Sequence, residues 1–379
     1  MASSKIKSEQ NLASLKSTVE TTSALLTQLQ SSSTPKDSDR NSNINALDLA
    51  HDTASLIRAH STKLSLLIIN KPFTASAIST VLRELVSGPL PGLASAVELC
   101  NAAKYTKAMS AELQWRAKKV FMELGTLVKA IPLDGKTLSE DLKNGTGKTG
   151  GKGSMASTGV LWEACDGVAE LKKLGIAGLM IKKADEYRDL LKDALEELQE
   201  WGEESDGSDD EDETAGEQET ETDGVDTSAQ DAVDSIFASQ RHISSEDPDK
   251  IRPRLDSAQK RLRLVILMYQ AVIKRRFKTL PHLPHPEIEA KPDQDTGIIN
   301  CVDEVMDVFK KIPDITDELA SAFYELDGVG IDKRMDECFF TGFAASELLV
   351  KNWEGKEDEF TVWARKFQVA MKKGWQDLP

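Results

Sequence analysis

IAGLMIKKADEYRDLLKDALEELQEW, residues 176–201, carries the clearest periodicity in this 379-residue chain. Ala177, Met180, Ile181, Ala184, Tyr187, Leu191, Ala194, Leu195 and Leu198 recur at steps of three and four. That spacing places them on one face of a helix and turns the charged residues outward. Such a face is stable only when other elements cover it, so the segment demands a packed helical partner. Glu196, Glu197 and Glu200 crowd its C-terminal end, where the helix dipole disfavours negative charge.

The acids then continue. Glu203 to Asp234 holds fifteen Asp or Glu and no Lys or Arg. The whole chain has 63 acids against 47 bases, so the net charge of −16 is almost entirely local to this run. With few large apolar groups and strong self-repulsion, the run cannot offset its ordering entropy and is expected to be a disordered tether. The expected organisation is a helical bundle over 1–201, an acidic linker over 202–247 and a second bundle over 248–379. Within the linker, Ser208 has Glu211 three residues on and Ser205 has Ser208 at the same offset. An acidophilic kinase could modify Ser208 first and Ser205 next, each phosphate adding about −1.5 to −2 charge.

Working toward the N-terminus, a helix over 158–174 precedes the quoted stretch, and Lys143 to Ser157 reads as a Gly/Lys/Thr-rich loop. Before it a long helix is expected over about Leu93 to Ala130, with a possible break at Asn101 to Tyr105. Shorter helices are expected over 74–87 and 46–70, the latter stopped by Pro72; Gly88-Pro-Leu-Pro-Gly92 is expected to break the chain. In the first helix, about 8–30, Leu12, Leu15, Val19, Thr22, Leu26 and Leu29 form a zipper-like coiled-coil stripe. It spans only about two and a half heptads, so packing into the chain's own core is its expected fate. Toward the C-terminus, helices are expected over 250–278, 298–311, 315–326, 332–353 and 358–373, with a proline-rich connection at 281–292. No stretch shows strand-like alternation bounded by turn residues. The class is all-α, built as two helical bundles.

Composition excludes several functions. Four cysteines with no C-x-x-C pair argue against a zinc site or a disulfide scaffold and suit a reducing compartment. No signal-peptide pattern and no membrane-spanning apolar run is present, so a soluble intracellular protein is expected. Gly145-Thr-Gly-Lys-Thr149 fails as a phosphate loop, because Leu142 stands where the first glycine is required and no strand precedes it. His282 and His285 give two imidazoles with nothing nearby to complete four ligands. No nucleophile–base signature appears, so no catalytic, cofactor or metal residue is assigned. The basic clusters Lys260-Arg-Leu-Arg263 and Lys274-Arg-Arg-Phe-Lys278 read as solvated positions flanking a buried stripe, with nuclear import or phosphate binding as the alternative. At pI about 4.9, direct nucleic-acid binding is not expected.

Three segments carry a resemblance. They are His60-Ser-Thr-Lys-Leu-Ser-Leu-Leu-Ile-Ile-Asn-Lys-Pro-Phe73, Leu93 to Cys100, and Thr158-Gly-Val-Leu-Trp-Glu-Ala-Cys-Asp166. Together they resemble the GCIP-type cyclin-D-binding proteins, best over residues 8–201. The motif positions are Thr62, Lys63, Leu64, Lys71, Pro72, Thr158, Gly159, Trp162, Cys165 and Asp166. The resemblance implies a non-enzymatic regulator of cytoplasm and nucleus that binds D-type cyclins and helix-loop-helix transcription factors and restrains the cell cycle. Recognition by a helix face, tuned by the acidic tether, is the expected mechanism. The alternative is a helical scaffold of the cytoskeletal-adhesion kind. The sequence assigns neither the binding face nor the oligomeric state.

Overall fold

The computed structural model of the chain describes residues 2–31, 44–145, 153–204, 243–284 except 245, and 292–376. Residues 205–242 of the acidic linker, with Ser205 and Ser208, lie outside these residues, as do Lys148, Thr149 and His285. Every regular element among the described residues is helical. They are α1 (Ala2–Ser31), α2 (Ala46–Ile69), α3 (Ala75–Ser87), α4 (Pro89–Leu99), α5 (Ala102–Tyr105), α6 (Lys107–Lys129), α7 (Glu140–Asn144), α8 (Ser154–Glu204), α9 (Ile251–Arg275), α10 (Pro292–Tyr324), α11 (Gly328–Leu348) and α12 (Glu359–Gln376). The all-α expectation holds.

The chain divides into two compact units, residues 1–179 with 282–300, and residues 180–281 with 301–379. The expected boundary at 201 is therefore displaced to 179/180, inside α8. The residues of the quoted stretch from Met180 onward belong to the second unit. The cause is visible in their partners there: Trp201 lies against Phe323 and Tyr324 at ring distances of 6.3 and 5.5 Å. Gln259 also donates to the Leu198 carbonyl at 3.5 Å. Four residues before that boundary, Gly175 interrupts α8 with φ 58° and ψ −173°. That backbone region is open essentially to glycine alone, which is why the expected helices 158–174 and 176–201 meet there.

In the first unit α1 packs on α3 and α6, and α2 on α3 and α4. Leu15, Thr22 and Leu26 of the zipper-like stripe are buried in this unit's own core, as expected from its length. Each fully buried leucine is worth about 1.5–3 kcal/mol. The long helix expected over 93–130 is instead three helices. Pro89 opens α4, since a proline in the first turn forfeits no hydrogen bond. At the expected break, Asn101 caps α5 and the Thr106 hydroxyl caps α6. The Tyr105 hydroxyl accepts the Ala46 N–H at 2.9 Å, covering an orphan donor at the start of α2.

In the second unit α9 packs on α11 and α12. A break expected between 311 and 315 does not occur, and α10 runs through Pro313. Proline leaves the carbonyl four residues earlier without its helical donor. That carbonyl belongs to Phe309, and the buried Tyr269 hydroxyl donates to it at 2.7 Å. The cluster Lys274 to Lys278 is partly structural. Arg276 is fully buried, forks onto Asp358 at 2.7 and 3.0 Å, donates to the carbonyls of Leu349 and Val350, and stacks over Phe360 at 4.3 Å. In the other cluster, Arg261 is buried over Phe339. The solvated reading thus holds for Lys260, Arg263, Lys274, Arg275 and Lys278 and fails for these two arginines.

Candidate interaction surface

The two motif-bearing helices of the first unit are neighbours. Three contacts fix α2 and the first part of α8 as antiparallel. The Thr158 hydroxyl meets that of Ser65 at 3.1 Å, Arg58 pairs with Asp166 at 2.9 Å, and Lys172 pairs with Asp48 at 3.0 Å. Between the first two contacts the Arg58 guanidinium stacks over the Trp162 ring at 5.3 Å. A cation over an indole face is worth about 0.5–1 kcal/mol at an exposed site. Thr158 also bonds back to the Ser154 carbonyl at 2.7 Å.

The motif residues divide by role. Leu64 and Cys165 are buried in the core beneath the seam. Burial pushes the Cys165 thiol up to about 12, so at neutral pH it is an apolar filler rather than a nucleophile. Thr62 spends its hydroxyl on the Arg58 carbonyl at 2.8 Å. Lys63 is exposed, with its ammonium 3.9 Å from Glu84, and the His60 ring reaches the same carboxylate at 3.4 Å. Lys71 and Pro72 are exposed beyond the end of α2. Gly159 and Asp166 face solvent on α8, and space is open above Gly159. A partner backbone can come closest there.

Residues outside the motif complete the surface. Leu66 is 52% exposed on α2 and Met155 is 54% exposed on α8. Leu66 follows Ser65 by about 100° of helical turn, so it points outward next to the α8 contact, and Met155 stands about one turn before Thr158. The seam therefore carries an apolar end, a small-residue middle and a charged end at Arg58 and Asp166. Behind it, Arg116 of α6 grips α8 through the Gly167 carbonyl and Glu170. Arg58, Leu66 and Met155 gave no signal in the sequence: Leu66 sits in an apolar run that reads as core throughout. Only a pairing across some hundred residues exposes them.

Among the described residues no group of His, Cys, Asp and Glu is placed to hold a metal ion, and no helix is long and apolar enough to cross a membrane.

Residues 49–204 match the family described as Grap2 and cyclin-D-interacting, N-terminal. This GCIP-type region contains α2 from Leu49 on, all of α8 and every motif position. It begins after α1 and ends with α8, so it takes in residues of both units. The full chain is also 24% identical over 322 residues to an uncharacterized protein of Schizosaccharomyces pombe. That similarity covers 85% of this chain and 82% of the relative, extending well past the GCIP-type region. The family description names protein interaction, with cyclin D as the stated partner.

Proposed function

We propose that this chain is a non-enzymatic regulatory protein of cytoplasm and nucleus that binds a cyclin and so restrains the cell cycle, with the α2–α8 seam as its binding face. The observation that carries the reading is the seam's exposure. Leu66, Met155, open space at Gly159 and a half-exposed Arg58–Asp166 pair lie together within the GCIP-type region. Apolar anchors beside a charged pair are what a partner helix needs for affinity and register.

A helix-loop-helix partner is the second candidate from the resemblance. Recognition through the α1 stripe would first require Leu15 and Leu26 to leave the core, whereas the seam is available with α1 in place. The test is a binding titration of the purified chain against each cyclin of its host, D-type first. Micromolar or tighter association is expected, weakened at least tenfold by Arg58→Glu. No measurable binding to any cyclin would sink the proposal. Tight binding untouched by Arg58→Glu or Leu66→Asp would keep the partner and discard the seam.

A further inference from the structure

A quarter-turn around α6 from the side that holds α8, the helix shows solvent a face that the seam does not use. Trp115 is 61% exposed and Met122 is 50% exposed. Seven residues apart, they lie on one side of the helix at roughly 10 Å separation. Exposed Ala111 and Thr126 extend the strip by a turn at each end. Its borders are basic: Lys119 lies 6.0 Å from the Trp115 ring centre, and Lys118 and Lys129 flank Met122. Of the acids of α6, Glu112 is held by Arg116 at 2.8 Å, which leaves Glu123 at the edge against Lys118, Lys119 and Lys129.

A large indole left in water has no role in the fold, and tryptophan is the residue most enriched where partners bind tightly. We infer that this face docks an acidic amphipathic helix of a partner protein. Apolar side chains at helical spacing would cover Trp115 and Met122, and carboxylates would meet Lys118, Lys119 and Lys129. A linear strip along one helix fits a partner helix laid beside it. A basic rim selects an acidic partner, since like charges set face to face are penalised. Two large apolar side chains are too few for a membrane-surface helix, which needs a broader apolar face.

The probe is a fluorescein-labelled 16-residue helical peptide with leucines at helical spacing and glutamates elsewhere, titrated into the full chain by anisotropy. Its control has lysine at every glutamate. The chain's net charge of −16 opposes unspecific capture of the acidic peptide. Expected are micromolar binding of the acidic peptide, at least tenfold weaker binding of the control, and at least a tenfold loss in Trp115→Ala and in the pair Lys118→Glu/Lys119→Glu. The circular dichroism melt of Trp115→Ala should be unchanged, because that side chain is exposed. Arg58→Ala, in the seam, should leave the affinity as it is. Equal affinity in Trp115→Ala, or equal binding of the lysine peptide, would overturn the inference. So would Trp115-dependent flotation with phosphatidylserine vesicles in a chain that ignores the acidic peptide.

Discussion

Tyr269 and Arg276 show what single side chains do in the second unit. The Tyr269 hydroxyl fills the place of the N–H that Pro313 lacks, so the two residues are energetically linked across 44 positions. Tyr269→Phe should cost about 1–3 kcal/mol in urea unfolding, the penalty of a buried carbonyl left without a donor. In a Pro313→Ala background the helix supplies its own donor, and the same change should cost distinctly less. Arg276 works differently, as a buried cation whose charge is met by Asp358. Hydrogen bonds from Arg276 hold the Asp358 carboxyl down at about 2, below its ordinary 3.8. A carboxylate depressed on folding stabilises the chain above its unfolded pKa. That share of stability is present above about pH 4 and lost as pH falls toward 2, and Asp358→Asn should flatten the melting profile in that window. Asp358→Ala strands the buried Arg276 charge and should cost about 3–5 kcal/mol in urea unfolding.

At the scale of elements, Gly175 decides where one helix becomes two directions. Any side chain there meets a backbone region closed to it, so Gly175→Ala should lower stability by about 1–3 kcal/mol in thermal or urea melts. This break was legible in the sequence, where one helix is expected to end at 174 and the next to begin at 176. The burial of Leu15 and Leu26 was legible too, from a stripe too short to be a coiled coil. The continuous α10 was not. Proline rules describe a helix alone, and the rescue by Tyr269 comes from another element. Arg276 was equally hidden: Lys-Arg-Arg-Phe-Lys reads as surface until Asp358, eighty-two residues on, is folded beside it. The motif residues of the seam could be named from their order in the chain. Their meeting with Arg58 and Leu66 could not, since linear spacing says nothing about antiparallel neighbours a hundred residues apart.

For the whole molecule, charge and fold are largely separate matters. Outside Glu203 to Asp234 acids and bases nearly balance, and every buried core residue named above comes from the rest of the chain. Deleting 205–234 should therefore leave the melting temperature within a few degrees. If cyclin binding also survives the deletion, the run is only a tether, and Ser205 and Ser208 lose their proposed regulatory meaning. The division of α8 at residues 179 and 180 has a further consequence, for what counts as a module. A piece of chain that matches one sequence family need not be a piece that can live alone. The GCIP-type region 49–204 leaves out α1, whose Leu15 and Leu26 close the first core. It also ends with Leu191, Leu198 and Trp201, whose covering helices α9 and α10 come later in the chain. Expressed by itself, that fragment should be sticky and poorly folded by light scattering and circular dichroism, while the intact chain is neither. The matched stretch is shared between two folding units, so loss of the C-terminal half should cost it solubility before it costs it any partner.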